Sequence, residues 1–170
     1  MARMCRYGLA VAIFLAMPVF ADSAGGLTWA APAGWKADAA RAMRAATYKV
    51  PAAKGDTEEA ECAVFYFGQG QGGSVDSNLQ RWVGQFEGAK APAPKKEKVL
   101  GFDVTSVELD GTYTGGGGPM APKTSKAGFK LVGAIVEGPE GAVFFKLTGP
   151  AKTVEAARAD FSKMVKAIKK

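Results

Sequence analysis

The stretch from Glu61 to Phe86, ECAVFYFGQGQGGSVDSNLQRWVGQF, constrains the fold more than any other. Cys62–Phe67 is almost continuously apolar, as expected of a central strand buried on both faces. Glycines follow, and Ser74 then offers an N-cap, with Asp76 well placed in the first helical turn. Val75, Leu79, Trp82, Val83 and Phe86 recur at helical spacing and fall within an arc of about 100°. The spacing predicts a helix ended by Gly88, with Asn78, Arg81 and Gln85 as a polar stripe beside the apolar arc. A strand, a glycine turn and an amphipathic helix therefore organise what lies around them.

The chain on either side reads mostly as strands. Leu27–Ala30 alternates before Pro32 and Gly34 break it, and Met43–Val50 is a second strand closed by Pro51. Ala89–Lys98, AKAPAPKKEK, is expected to be an exposed connector, since its composition cannot fill a core. Val99–Leu109 and Phe129–Glu137 are further strands, separated by Gly111-Thr112-Tyr113 and a four-glycine run, Gly115–Gly118, that must be mobile or tightly turned. Gly138-Pro139-Glu140-Gly141 has the proline and glycine positions of a turn, with Ala142–Thr148 as hairpin partner. Thr153 caps a last helix whose apolar face is Val154, Ala157, Phe161, Val165 and Ile168. Three strands, a helix, three strands and a helix, joined by short loops, imply an α+β fold: a mostly antiparallel sheet of about six strands packed with helices.

The N-terminus reads as an address. Arg3 and Arg6 precede the apolar run Tyr7–Phe20, which has the length of a signal-peptide core and is short for a membrane span. Val19-Phe20-Ala21 sets cleavage before Asp22; an uncleaved anchor is the alternative. The organisation is thus a signal peptide over 1–21, a flexible leader over 22–26 and one α+β domain over 27–170, periplasmic or extracellular. Loss of Arg3 and Arg6 lowers the formal net charge from +6 to +4. The lysines gather in Lys90–Lys98 and Lys163–Lys170 without interleaved arginines and aromatics, which is not a nucleic-acid pattern. Cys5 leaves with the signal, so Cys62 is alone and is expected to be buried.

Candidate chemistry is sparse. Gly68-Gln69-Gly70-Gln71-Gly72-Gly73 has the glycine spacing of a dinucleotide-binding turn and lies between a strand and a helix. Yet that strand is the third in the chain, a proline-rich loop follows the helix, and no acid stands where a ribose would be held. No cofactor is expected. The turn reads as a structural glycine turn, with an anion site formed by Gly70, Gly72, Gly73 and Ser74, on which Thr112 or Lys146 would converge, as the alternative. Gly117–Thr124, GGPMAPKT, imitates a phosphate loop but has Pro122 where glycine is needed. The chain has no histidine, so a histidine-based nucleophile and a histidine metal site are both excluded, and no catalytic residue or metal ligand set is assigned. The main candidate binding surface is Asn78, Arg81, Trp82 and Gln85 with Tyr113 closing over it; a binding face there requires an exposed Trp82. The competing reading places Trp82 in the core, with Asn78 and Gln85 satisfying loop backbone.

Several short pieces in order resemble a group of uncharacterised exported bacterial proteins. They are Met43-Arg44, Phe67-Gly68 with Gly72-Gly73, Asn78, Arg81-Trp82, Gln85-Phe86, Gly111-Thr112-Tyr113, Gly133-Ala134-Ile135, and Phe144-Phe145-Lys146 with Gly149-Pro150. The order of strands and helices also resembles the PsbP-like fold, an antiparallel sheet between helices shared by the extrinsic subunit of photosystem II and a Ran-binding protein. That resemblance implies an accessory binding protein, here a monomer with an unknown protein or small-molecule partner, not a catalyst.

Overall fold

The computed structural model describes residues 21–90, 92–115 and 125–170. The signal segment up to residue 20, the glycine run from 116 to 118 and the phosphate-loop imitation at 117–124 lie outside the described residues.

The expectation of about six strands is too low: among the described residues there are ten, eight of them in one antiparallel sheet. They are β1 (Ala21–Ala24), β2 (Leu27–Ala30), β3 (Lys36–Ala37), β4 (Arg44–Val50), β5 (Ala60–Tyr66), β6 (Phe86–Glu87), β7 (Lys95–Val99), β8 (Phe102–Tyr113), β9 (Lys126–Gly138) and β10 (Gly141–Pro150). Helix α1 spans Val75–Val83 and α2 spans Ala151–Lys166. The main sheet runs β3-β4-β5-β10-β9-β8-β6, with β7 also paired to β8. The α+β class holds, with a larger sheet than expected. β5 lies inside the sheet between β4 and β10, and its Cys62 is fully buried, which pushes the thiol pKa far up.

The additional strands come from segments of poor strand propensity. The expected flexible leader instead forms β1, paired with β2 through a Gly25-Gly26 turn in which both glycines have positive φ, 62° and 72°. Asp22 in β1 accepts a hydrogen bond from the Tyr48 hydroxyl, which in turn accepts one from Trp29 Nε1 at 2.8 Å. The expected connector is only partly a loop, because Lys95–Val99 pairs with β8 from Lys95↔Ser106 to Val99↔Phe102. Backbone pairing to a long neighbour decides here, and the lysines suit an edge strand that must not recruit another chain. Helix α1 is shorter than its periodicity suggests: Gly84 caps it, and Phe86 reaches the same apolar cluster from β6.

The sheet has two differently covered faces. On one, α2 and the β1–β2 hairpin close over Tyr48, Cys62, Val64, Val132, Phe145 and Leu147. The chain's C-terminal end is tied to the hairpin by the backbone pair Thr28–Lys169. Helix α2 is not capped by Thr153, as its sequence suggests. Pro150 holds the cap position without a side-chain bond. Asp56, from the loop between β4 and β5, accepts from the Thr153 amide at 2.9 Å and the Thr153 hydroxyl at 2.6 Å. An acid from elsewhere in the chain thus serves the helix N-terminus.

The opposite face carries α1. Leu79, Trp82 and Phe86 pack on Leu109, Leu131, Ile135 and Phe144. A side chain at Gly133 would put its Cβ 2.3 Å from the Trp82 ring, so glycine there is what lets the helix lie this close. With only nine residues, α1 covers only part of that face, and among the described residues the rest is open.

Candidate functional site

The structure divides the five residues of the expected binding stripe. Trp82 is buried, at 5% exposure, and forms the underside of α1. Asn78 is buried as well; its Nδ2 donates to the carbonyls of Gly72 (2.8 Å) and Ser74 (2.9 Å), and its Oδ1 accepts from Arg81 at 3.1 Å. Asn78 therefore holds the glycine turn against the helix, and Arg81 lies exposed on the outside. Gln85 and Tyr113 go elsewhere. Gln85 Oε1 accepts a hydrogen bond from Lys146 Nζ at 2.5 Å, and the Tyr113 hydroxyl accepts another at 3.2 Å. Two of the five thus meet at a residue outside the expected stripe.

Gly70, Gly72, Gly73 and Ser74 sit at the other end of α1. Gly72 has φ +92°, and a Cβ there would meet Phe67 at 2.9 Å and Phe144 at 3.2 Å, so the turn is packed down on the sheet. Ser74 Oγ accepts from the Ser77 amide as the N-cap. Neither expected companion converges on this turn. Lys146 is bound to Gln85 beyond the helix's C-terminal end, and Thr112 pairs with Glu87 in the sheet. The hollow that Ser74 does line has Asp76, Glu97, Asp103 and Glu137 in its walls against Lys96 and Lys98, a net negative surrounding for an anion.

Lys146 stands in the uncovered part of the α1 face, in a cleft of about 410 Å³. On β10 it lies opposite Gly133 of β9 and Ala63 of β5, and Thr148 follows two residues on, so both side chains point into the cleft. Phe65, Phe129 and Tyr113 supply apolar wall, the last two stacked with ring centroids 5.9 Å apart. Arg41, Arg44, Glu58, Glu59, Glu61 and Lys126 supply charge around them.

Two of these cations arrive through irregular pairing. On β4 the register shifts between Arg44 and Ala46, which places Arg44 opposite Phe65 where regular pairing would place Ala45. On the far side the shift between Gly111 and Tyr113 brings Lys126 opposite Tyr113. Without the extra residue Lys126 would lie on the opposite face of the sheet. β-Bulges that re-aim side chains in this way cluster at functional sites. Arg44 lies over the Phe65 ring at 5.4 Å and Lys126 over the Phe129 ring at 5.2 Å.

The charges are unequally paired. Glu61 accepts from Arg41 at 2.9 Å and Arg44 at 2.8 Å, and Glu58 is paired with Lys126. Among the described residues no carboxylate forms an ion pair with Lys146; its partners are the neutral Gln85 and Tyr113. Burial pushes the Lys146 pKa down to about 8, Glu61 opposing that shift and Arg44 adding to it. Burial also raises the Tyr113 pKa, so the phenol stays neutral. Beside them the buried Thr148 hydroxyl has no hydrogen-bond partner among the described residues. Sequence reasoning placed Lys146 only as a companion of the glycine turn and not at the centre of a site of its own, because a lone lysine in an apolar strand carries no motif. The signal available was its position: a cation in GAVFFKLTGP, at an alternate position facing away from Phe145 and Leu147.

Among the described residues there is no cluster of three or more potential metal ligands, and no helix long and apolar enough to cross a membrane. No protein-family model matches the chain, and comparison with curated proteins returns no match. Solved structures do match it. Cyanobacterial PsbP (CyanoP) from Synechocystis sp. PCC 6803 superposes with a TM-score of 0.55 at 9% identity, covering 95% of this chain and 98% of that one. A protein of unknown function from Pseudomonas aeruginosa gives 0.51 at 12% identity, covering 88% and 94%. At such identities the likeness speaks for the fold alone. The chain has a PsbP-like fold.

Proposed function

We propose that this chain is an exported, non-catalytic binding or accessory module, and that the Lys146 cleft is its binding surface. The observation that carries this reading is that the described residues cover the α1 face incompletely: where the helix stops, the floor of the sheet turns from apolar to polar and presents a cation without a carboxylate partner among them. A protein gains no stability from leaving such a group unpaired at the bottom of a cleft, so an occupant is the economical explanation. The groups present suit holding rather than reacting. Lys146 is engaged by Gln85 and Tyr113, and the sequence has no histidine to activate the Thr148 hydroxyl. Export rests on the N-terminal pattern of Arg3, Arg6 and the apolar run to Phe20.

A melting screen against a small-molecule library, run in parallel on the protein and on Lys146→Met, tests the binding surface. Ligands that raise the melting temperature of the parent should leave the variant unmoved. Hits that act equally on both would place binding elsewhere. Export is tested separately by fractionating the native cell and sequencing the protein's N-terminus, which should begin at Asp22.

A further inference from the structure

Resting on the reading of the cleft as a binding surface, we infer that its ligand is a small organic monocarboxylate with an apolar body. The carboxylate takes an N–H of Lys146 and the hydroxyl of Thr148, and the body lies against Phe65 and Phe129.

Charge sets the valence. Arg41, Arg44, Lys126 and Lys146 line the cleft against Glu58, Glu59 and Glu61, an excess of one positive charge. The ion pairs already formed use Arg41 on Asp38 and Glu61, Arg44 on Glu61 and Lys126 on Glu58, so among the described residues Lys146 is the lining cation without a carboxylate ion pair. One negative charge supplies the counter-ion that the Lys146 ammonium lacks. A dianion such as phosphate would meet the glutamates with a charge the cleft does not offset.

Donor geometry sets the group. An ammonium has three N–H donors, and Gln85 and Tyr113 take two of those on Lys146. The Thr148 hydroxyl donates to no described residue. Positions 146 and 148 lie on one face of β10, roughly 7 Å apart along the strand, a span over which a lysine side chain and a hydroxyl can share one carboxylate. The aromatic wall and the 410 Å³ volume give room for an apolar body beyond that group.

Proton linkage follows. The groups facing Lys146 are Glu61 from β5, Arg44 from β4, Tyr113 from β8 and Gln85 after α1, with Arg41, Glu58, Glu59 and Lys126 toward the mouth. A bound carboxylate favours the ammonium, so binding near pH 8 takes up a fraction of a proton and weakens as pH rises further.

The experiment is calorimetric titration of the purified protein with acetate, hexanoate, benzoate and cinnamate, and with cinnamamide and inorganic phosphate as controls. Measurements at pH 8 use two buffers of different ionisation heat. Cinnamate should bind more tightly than acetate, cinnamamide about tenfold or more weaker than cinnamate, and the buffer pair should report proton uptake. Lys146→Met should lose cinnamate binding, and Thr148→Val should weaken it a few-fold. Equal binding of cinnamate and cinnamamide, tighter binding of phosphate, or no binding by any carboxylate overturns the inference. Should Lys146→Met fail to fold, the cinnamate and cinnamamide comparison on the parent protein still decides. If the carboxylates fail while a neutral ligand from the melting screen depends on Lys146, the cleft reading stands and the carboxylate inference alone falls. If no ligand of any class depends on Lys146, both fall.

Discussion

The two faces of the main sheet are built from the same strands, yet they end differently. Under α2 and the β1–β2 hairpin the inward residues of β5 and β10 are apolar throughout, with Cys62, Val64, Val143, Phe145 and Leu147 fully buried. Under α1 the inward residues are apolar at Leu131, Ile135 and Phe144; beside them β5 and β10 present Glu61, Lys146 and Thr148. Alternation along β10 makes the contrast sharp, since Phe145 and Leu147 point to the closed side and Lys146 and Thr148 to the open one. The lesson is that the length of one helix sets where core ends and site begins.

The largest effect should come from breaking the closed face. Phe145 is fully buried and meets Trp29 edge to face, with centroids 5.2 Å apart. Phe145→Ala should cost about 3–5 kcal/mol in urea unfolding. Phe65→Ala, on the cleft wall, should cost clearly less. Equal costs would mean the open face is packed as tightly as the closed one.

Gly133→Ala comes next, because it presses on the boundary between core and cleft. Its new Cβ would fall 2.3 Å from the Trp82 ring, so α1 must shift. A loss of about 1–3 kcal/mol is expected. Because Gln85 follows directly on α1, cleft binding should weaken as well. Loss of stability with binding intact would show that Gln85 is held independently of the helix.

Asp56→Ala should cost about 1 kcal/mol, as removal of a helix cap does, and it should leave the cleft untouched. Any change in ligand response in this variant would mean that the two faces are coupled.

Much of this arrangement was legible in the sequence, and the reasons for the rest are specific. The apolar runs at Cys62–Phe67 and Phe129–Glu137 and the period of Val75, Leu79 and Trp82 report burial, so β5, β9 and α1 could be read from them. β1 and β7 could not, because ADSA and KKEKV have little strand propensity and owe their state to a neighbouring strand. Tyr113 and Gln85 were candidates on sequence grounds, but their meeting point depends on which strand lies beside which: Lys146 is 61 residues from Gln85 and 33 from Tyr113. The bulges that turn Arg44 and Lys126 into the cleft are register events with no local signature in this sequence beyond Gly128.

At neutral pH the smallest effect, and the one that bears most directly on the open face, belongs to Lys146→Met. The folded-state pKa of Lys146 lies near 8, below the ordinary lysine value of 10.5, so the unfolded chain binds more protons than the folded one between those pH values. Wild-type stability should therefore rise with pH across that window relative to the variant, since folding no longer has to bury a charge. Below pH 8 both states hold the proton and the full cost of burying the ammonium is present. There the variant, which loses two hydrogen bonds but no longer buries that charge, should differ from wild type by no more than about 1 kcal/mol. Urea melts of both proteins at several pH values from 6 to 10.5 give the difference profile directly. A profile flat in pH would mean that water reaches the Lys146 ammonium freely, and the open face would then be an ordinary solvated surface. A rise beginning near pH 8 would show a desolvated cation on the floor of the cleft, in contrast to the apolar floor on the other side of the same strand.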